Sequence, residues 1–136
     1  MAEGALRRAA EEAGLDIEVD SAGTADYHVG EPPDPRAIAC AASHGVDIAR
    51  LRGRQAVPED FRRFTHIYAL DRKNLADLQR IAPADGTAEL ALLLDEVPER
   101  RGEGVPDPWY GEDDAFEFTW RLVTDAADRL VKRFSA

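Results

Sequence analysis

The sequence predicts an α/β fold with a doubly wound parallel sheet, in which helices cover both faces. Helical and strand patterns alternate along the chain in the order helix, strand, helix, strand, helix, strand, helix. This rhythm is typical of parallel strands, because each pair needs a crossover that is usually a helix. The 136 residues are about the length of one domain, and 44% of them are hydrophobic, enough for a single core. Residues 1 to 136 are therefore predicted to form one domain.

The first half of the chain holds the first helix, the first strand and two more helices. Residues 2 to 13 place small apolar residues on one helical face and charged residues on the other, and Gly14 is a natural stop. "IEVDS", residues 17 to 21, alternates as a strand does. A long loop rich in glycine and proline follows, and helices are predicted over residues 35 to 45 and residues 57 to 64.

The second half repeats the alternation with clearer strands. "HIYAL", residues 66 to 70, predicts a strand that is buried on both faces. The helix over residues 71 to 81 starts with Asp71 as its N-cap. "AELALLL", residues 88 to 94, predicts the last strand, and the loop "VPDPWYG" separates it from a closing helix over residues 113 to 134.

The closing helix shows the strongest periodicity in the chain. Between residues 113 and 134 the apolar side chains recur at steps of three and four, which predicts a long helix packed on the core. Asp114 and Glu117 have the spacing of a capping box at its start.

Composition and charge argue against several classes of function. A formal net charge of -10 would repel nucleic acids and anionic membranes. The N-terminal residues are charged and rich in alanine, unlike a signal peptide, and the chain has no run of about 18 apolar residues. We therefore expect a cytoplasmic, soluble protein without a nucleic-acid or membrane partner.

The cysteine and histidine content leaves little for a metal site. Cys40 is the single cysteine, so it allows no internal disulfide and no thiolate zinc cluster, and a reducing compartment is favoured. His28, His44 and His66 stand far apart along the chain, without partners at ligand spacing. We expect no metal. Cys40 lies in "AIACAASHG", where it is predicted to be a small residue on a buried helix face.

A set of short motifs runs over nearly the whole chain. In order, they are "SAGT", "YHVGEPPDPRA", "HG", "RQ" with "PEDF", "LDRKNLADL", "LLLDE" and "VPDPWYG". Each motif alone is weak, but together they resemble the low-molecular-weight protein tyrosine phosphatases. The resemblance implies the fold of that family and the hydrolysis of phosphotyrosine in protein substrates, with no cofactor.

The resemblance also implies a role for Asp107, which lies between Pro106 and Pro108. In the family a cysteine thiolate attacks the phosphate, backbone N–H groups and an arginine hold its oxygens, and an aspartic acid protonates the leaving phenolate. Asp107 matches this acid. A phenol has a pKa of about 10, so a positioned acid speeds its departure roughly a hundred- to ten-thousand-fold. The simpler alternative is that Asp107 only turns a surface loop.

Three aromatic residues match positions that line the phosphotyrosine cleft in the family. They are Tyr27, Trp109 and Tyr110, and flat rings suit a flat aromatic substrate. Packing of each loop on its own domain would explain the same residues.

Three polar residues match positions beside the phosphate-binding loop. Asp71 and Asn74 correspond to a family "D-x-x-N", but an N-cap and its third residue give the same spacing. Ser21, at the end of the first predicted strand, is equally ambiguous. We expect these three residues to support the site or to have a local structural role.

The chain departs from the family at its catalytic loop. The family begins with a buried strand and a loop of pattern C-x5-R-S-P, commonly followed by "MAE", the first three residues here. The resemblance thus implies that the first, central strand and this loop are absent from the chain. Cys40 cannot replace the nucleophile, because Val46 and no arginine follows six residues later. Ala49 and Leu51 stand where many bacterial members carry a serine and a histidine that brace the loop.

This departure sets two expectations. The chain alone should be inactive, because it lacks the nucleophile and the arginine. It should also be unstable as a monomer in this fold, since a central strand buries about five apolar residues, worth at most on the order of 10 kcal/mol. A misassigned start, a deliberate truncation or another segment filling the gap would each explain the absence. The alternative function is a non-catalytic phosphatase-like module that binds a partner or forms a homodimer through exposed strand edges.

Overall fold

The computed structural model of the chain describes residues 1–24, 29–108 and 111–135. In these ranges helices surround a short parallel sheet. The elements, in chain order, are helices α1 (Ala2–Glu12), α2 (Pro35–Ser43) and α3 (Asp60–Arg63), strand β1 (His66–Ala69), helix α4 (Arg72–Ile81), strand β2 (Glu89–Leu92), the 3-10 turns Leu93–Glu96 and Pro98–Arg100, and helix α5 (Asp113–Ser135). Apart from the strand expected at residues 17 to 21, each predicted element is present, with its ends shifted by at most three residues.

The sheet has the predicted parallel direction. Strands β1 and β2 pair in parallel, with His66 opposite Glu89, and α4 is the crossover between them. Asp71 caps α4, because its carboxylate accepts a hydrogen bond of 2.7 Å from the backbone N–H of Asn74. The α/β class and the N-cap at Asp71 are both confirmed.

The prediction of a strand at residues 17 to 21 is wrong. In the described part of the chain this segment pairs with no strand. A strand needs a neighbour for its backbone N–H and C=O groups, and alternating side chains do not supply one. Farther along the chain, single parallel bridges join Gly23 to Gln55 and Val29 to Gly53.

Arginine side chains hold residues 18 to 22, here named the 18–22 segment, against the rest of the protein. The contacts are Arg7 with the Val19 carbonyl at 2.6 Å, Arg54 with Asp20 at 3.0 Å, and Arg63 with Glu18. The segment is therefore fastened by charged side chains where a strand would be fastened by backbone pairing.

The main core forms where α5 packs against α1. The residues that α5 buries in it include Phe116, Trp120, Val123, Ala127 and Leu130. Helix α1 approaches Ile48 closely at Gly4, where an added Cβ would lie 2.6 Å from Cγ2 of Ile48.

Among the described residues, no helix is both long and apolar enough to cross a lipid bilayer.

A cavity of about 230 Å³ lies between the 18–22 segment and β1. Its lining includes Ile67 and Tyr68 of β1, and Leu130 of α5 covers it. Strand β1 pairs with β2 along one edge, and no strand among the described residues pairs with its other edge. The prediction that β1 is buried on both faces is therefore wrong for His66, Ile67 and Tyr68, which are only partly buried because they line the cavity.

After the second 3-10 turn the chain crosses the carboxyl end of β1. The backbone N–H of Val105 donates a hydrogen bond of 2.7 Å to the Leu70 carbonyl, and Val105 is buried. Gly104 lies against the N-cap of α4, because an added Cβ would be 2.9 Å from Cβ and 3.2 Å from Cα of Asp71. A side chain at position 104 would therefore displace either the crossing chain or the helix cap.

We expect Gly104→Ala to lower the free energy of unfolding by about 1 to 3 kcal/mol, the usual cost of overpacking. The control is Glu103→Ala, which removes an exposed side chain and a surface ion pair with Arg100 at 3.4 Å, and should change stability by less than about 0.5 kcal/mol. Urea unfolding of both variants and the parent chain measures the difference. Equal midpoints for Gly104→Ala and the parent would contradict the close packing.

Candidate functional site

Asp107 lies on an anchored loop at the carboxyl end of the sheet. Val105, two residues earlier, is bonded to the end of β1. The Pro106 carbonyl accepts a hydrogen bond of 3.2 Å from Thr119 Oγ1 on α5. Asp107 itself is exposed. The backbone before Asp107 is thus fixed to both the sheet and α5, while the residue remains accessible from solvent.

Arg36 of α2 holds the far end of the same loop. Its Nη1 donates to the Gly111 carbonyl at 2.9 Å, and the Gly111 N–H donates to the Pro108 carbonyl at 2.8 Å. The guanidinium lies 4.7 Å from the centre of the Phe116 ring. Hydrogen bonds from Arg36 also hold the pKa of Asp34, the N-cap of α2, below its usual range. The loop that carries Asp107 is therefore tied to α2 as well as to α5.

Asp71 and Asn74 lie at the start of α4, at the same end of the sheet. The N-cap bond between them shows that the local explanation of their spacing holds. Asn74 Nδ2 also donates to Thr24 Oγ1 at 3.5 Å, and Thr24 Oγ1 donates to Asp77 at 3.3 Å. These contacts bring residue 24 against the first turns of α4. A role of Asp71 and Asn74 in supporting a catalytic site stays a prediction.

Ser21 lies where α1 begins. Its hydroxyl donates to the Glu3 carboxylate, which is buried and pairs with Arg7 at 2.8 Å. Ser21, Glu3 and Leu70 all line the cavity beside β1. The starts of α1 and α4 are therefore both in contact with the short stretch from Ser21 to residue 24.

The three aromatic residues predicted to line a substrate cleft, Tyr27, Trp109 and Tyr110, lie outside the described residues. In the sequence, Tyr27 comes three residues after Thr24, and Trp109 comes two residues after Asp107. Their role in binding a substrate ring stays a prediction.

Cys40 is buried on α2, as the sequence predicts. Burial and a hydrogen bond of 3.5 Å to Glu117 Oε1 raise the pKa of its thiol to about 11. The thiol is therefore protonated at neutral pH, and a protonated thiol is a poor nucleophile. This agrees with the sequence argument that Cys40 does not replace a catalytic cysteine.

Sequence reasoning missed a polar cluster between α2 and α5. His44 Nε2 lies 2.9 Å from Glu117 Oε2, and Cys40 Sγ donates to Glu117 Oε1. The capping box predicted for Asp114 and Glu117 is wrong, because α5 begins at Asp113 and the Glu117 carboxylate bonds to α2. The statement that the histidines lack partners at ligand spacing is wrong as well. Cys40 and His44, one helical turn apart in the sequence, were the available signal.

Comparison with known proteins shows the family of the chain. The model of the family "Low molecular weight phosphotyrosine protein phosphatase" matches residues 1–136. A low molecular weight protein-tyrosine-phosphatase of Streptomyces coelicolor is 39% identical over 96% of this chain and 82% of its own length. A low molecular weight phosphotyrosine protein phosphatase of Saccharomyces cerevisiae is 31% identical over 98% of this chain and 85% of its own length.

The similarity extends to three-dimensional structure. A crystal structure of a low molecular weight phosphotyrosine phosphatase from Vibrio cholerae superimposes with a TM-score of 0.87 and 34% sequence identity. The superposition covers 98% of this chain and 86% of that protein. The chain belongs to the low molecular weight phosphotyrosine protein phosphatase family.

Proposed function

We propose that this chain forms the body of a protein-tyrosine phosphatase that hydrolyses phosphotyrosine in protein substrates through a cysteinyl-phosphate intermediate. In this proposal Asp107 is the general acid, and Tyr27, Trp109 and Tyr110 bind the aromatic ring of the substrate. Membership of the family supports the reaction, and the anchored loop supports the role of Asp107.

The observation that carries the proposal is the position of the Asp107 loop at the carboxyl end of the sheet, where open α/β folds bind their ligands. The starts of α1 and α4 each contact the stretch from Ser21 to Thr24, α1 through Glu3 and α4 through Asn74. A helix N-terminus favours a negatively charged group such as phosphate, and Asp71 fixes the first turn of α4. An acid and an anion-binding region at one end of the sheet suit phosphomonoester hydrolysis.

In this proposal the cavity beside β1 indicates where the nucleophile would lie. It is bounded by the 18–22 segment and by the edge of β1 that pairs with no described strand. We propose that this cavity receives a buried strand, which pairs with β1 and leads into a phosphate-binding loop with a cysteine and an arginine. No stretch of the 136 residues fits that loop, because Cys40 is the single cysteine and its thiol is protonated at neutral pH.

Each bond change in the proposed reaction has a residue to assist it. In the first step the loop thiolate attacks phosphorus, the P–S bond forms, the P–O bond to the phenol breaks, and the phenolate takes the proton of Asp107. In the second step water attacks phosphorus, Asp107 accepts a proton from that water, and the thiolate leaves.

The contacts around Asp107 would position it for this proton transfer. Pro106 and Pro108 restrict the backbone on both sides, and Thr119 holds Pro106 from α5. A proton moves efficiently only over hydrogen-bond distance, so a carboxyl on a loosely held loop would be a poor acid.

A second candidate function rests on the same edge of β1. A strand edge without a partner is a template for a strand from another chain. A non-catalytic phosphatase-like module could use this edge to bind a partner strand or to form a homodimer. The unpaired edge alone favours this candidate, whereas the anchored Asp107 loop and the family favour the enzyme.

The first test compares this chain with a fusion that carries an apolar strand and a C-x5-R-S-P loop before Met1. We expect the fusion to hydrolyse p-nitrophenyl phosphate between roughly pH 5 and 8, and the chain alone to show no activity. The fusion should also unfold at higher urea concentration, because its strand buries about five more apolar residues. Replacing the loop cysteine with serine should abolish the activity. A fusion that is folded by circular dichroism but inactive would favour the binding module.

The second test concerns the acid in the active fusion. We expect Asp107→Asn to lower kcat for a phosphotyrosine peptide roughly a hundred- to ten-thousand-fold, because an amide cannot protonate the phenolate. The loss should be smaller with p-nitrophenyl phosphate, whose phenolate is a better leaving group, and KM should change little. Asp114→Asn, an exposed carboxylate at the start of α5, is the matched control and should keep full activity. Equal kcat values for the two variants would exclude Asp107 as the acid.

The third test concerns the reactivity of Cys40. With a pKa of about 11, about one Cys40 thiol in ten thousand is ionised at pH 7, against about three in a hundred for a free cysteine. We therefore expect iodoacetamide to alkylate Cys40 at least about a hundredfold more slowly than a free cysteine, with a rate that rises about tenfold for each pH unit. Mass spectrometry of the chain, which has this thiol alone, measures the rate. Rapid alkylation at pH 7 would reopen Cys40 as a nucleophile.

A further inference from the structure

A cluster of three chemically different side chains lies between α2 and α5, apart from the Asp107 loop. Cys40 Sγ, His44 Nε2 and a carboxylate oxygen of Glu117 all lie within 4.8 Å of one another. His44 Nε2 is 2.9 Å from Glu117 Oε2, and Cys40 Sγ is 3.5 Å from Glu117 Oε1. A thiol, an imidazole and a carboxylate therefore converge on one small volume.

We propose that Cys40, His44 and Glu117 together bind one Zn²⁺ ion. Zinc takes all three ligand types at about 2.0 to 2.3 Å, and a tetrahedron with these bond lengths places neighbouring ligand atoms about 3.3 to 3.6 Å apart. Glu117 Oε1 lies 3.1 Å from His44 Nε2 and 3.5 Å from Cys40 Sγ, close to these values, and the third pair lies within 4.8 Å, so side-chain rotations would admit the ion. A thiolate ligand disfavours Mg²⁺ and Ca²⁺, which prefer oxygen. Three protein ligands leave the fourth position for water.

The backbone and neighbouring rings hold the ligands in place. Cys40 and His44 are four residues apart, so they share one face of the helix turn. The His44 ring stacks on Trp120 with 5.2 Å between ring centres and 15° between planes. Arg8 bonds to the His44 carbonyl, and Glu117 reaches the pair from the N-terminal part of α5. Much of the orientation that a metal ligand needs is therefore already present.

The cluster is also accessible to an ion from solvent. The side chains of His44 and Glu117 are 36% and 37% exposed, whereas Cys40 is buried. An ion could thus enter at the surface and be held against the core by a thiolate, whose proton it must displace.

The structure contains a natural comparison for an ordinary histidine–carboxylate pair. His66 Nε2 lies 3.2 Å from Glu89 Oε2 across the sheet, and the metal-ligand cluster found in the described residues does not include this pair. The contact with Glu89 and a hydrogen bond of 3.0 Å between His66 Nδ1 and Thr65 Oγ1 account for the two ring nitrogens of His66. At His44 the thiol of Cys40 adds a third donor. We therefore expect zinc to bind at His44 and not at His66.

A bound ion would join α2 to α5 beside the contacts that hold the Asp107 loop. Arg36 on α2 and Thr119 on α5 fix the two ends of that loop. Zinc would therefore stabilise the packing of these helices and take no part in phosphate chemistry. A ligand that binds the folded state raises the unfolding temperature, so this role has a direct measurement.

The test titrates the whole chain with Co²⁺ and then with Zn²⁺. Because Cys40 is the single cysteine, a thiolate-to-cobalt charge-transfer band can come from no other residue. We expect this band to saturate at one equivalent of Co²⁺, to disappear when Zn²⁺ is added, and to be absent in Cys40→Ser. Zinc should raise the unfolding temperature of the parent chain and leave that of Cys40→Ser unchanged.

Matched variants distinguish zinc binding at this cluster from zinc binding at other histidines. We expect His44→Gln and Glu117→Gln each to weaken zinc binding at least about a hundredfold, more than the usual effect of losing an outer-sphere partner. His66→Gln should bind zinc as the parent does. Equal zinc affinity in the parent and His44→Gln would overturn the proposal.

The same titration on the fusion protein tests the proposal even if the chain does not fold alone. With its loop cysteine replaced by serine, the fusion again has Cys40 as its one thiol and carries no amino terminus at Met1. Circular dichroism establishes that the protein is folded before the metal is added. A folded fusion that gives no cobalt band would also overturn the proposal.

Discussion

Because α5 lies along α1 with its apolar face inward, one helix sets the core, the cavity and the loop that carries Asp107. Leu130 is buried between α5 and its neighbours and also covers the cavity beside β1. Nearer its start, Thr119 bonds to the Pro106 carbonyl, and Glu117 reaches across to α2. A shift of α5 by a fraction of a helical turn would therefore change the position of Asp107 together with the core packing. The position of Asp107 therefore depends on the packing of the helices.

The elements that could be predicted from the sequence are those that local interactions define. Asp71 caps α4 through a hydrogen bond to its own third neighbour, and α5 shows its buried face in its periodicity. Residues 17 to 21 have the alternation of a strand but no described partner, and pairing is a non-local property that alternation does not contain. The same reason applies to β1, which was expected to be covered on both faces and instead borders a cavity.

In the candidate site, too, some residues could be recognised from the sequence and others could not. Asp107 is recognisable because two prolines and a set of motifs surround it in the sequence. Its anchors are not, because Thr119 lies 13 residues from Pro106 and Arg36 lies 75 residues from Gly111. Glu117 is the sharpest case, since its spacing indicated a helix cap and its carboxylate instead bonds to another helix. Which neighbour a charged side chain meets is decided by how helices pack.

We expect the 18–22 segment to respond to salt differently from the rest of the protein. Arg7, Arg54 and Arg63 fasten it through charged contacts near the surface, and such contacts weaken as the screening length falls from about 10 Å at 0.1 M salt to about 3 Å at 1 M. The apolar contact between α1 and α5 has no such dependence. High salt should therefore loosen this wall of the cavity while the core stays folded.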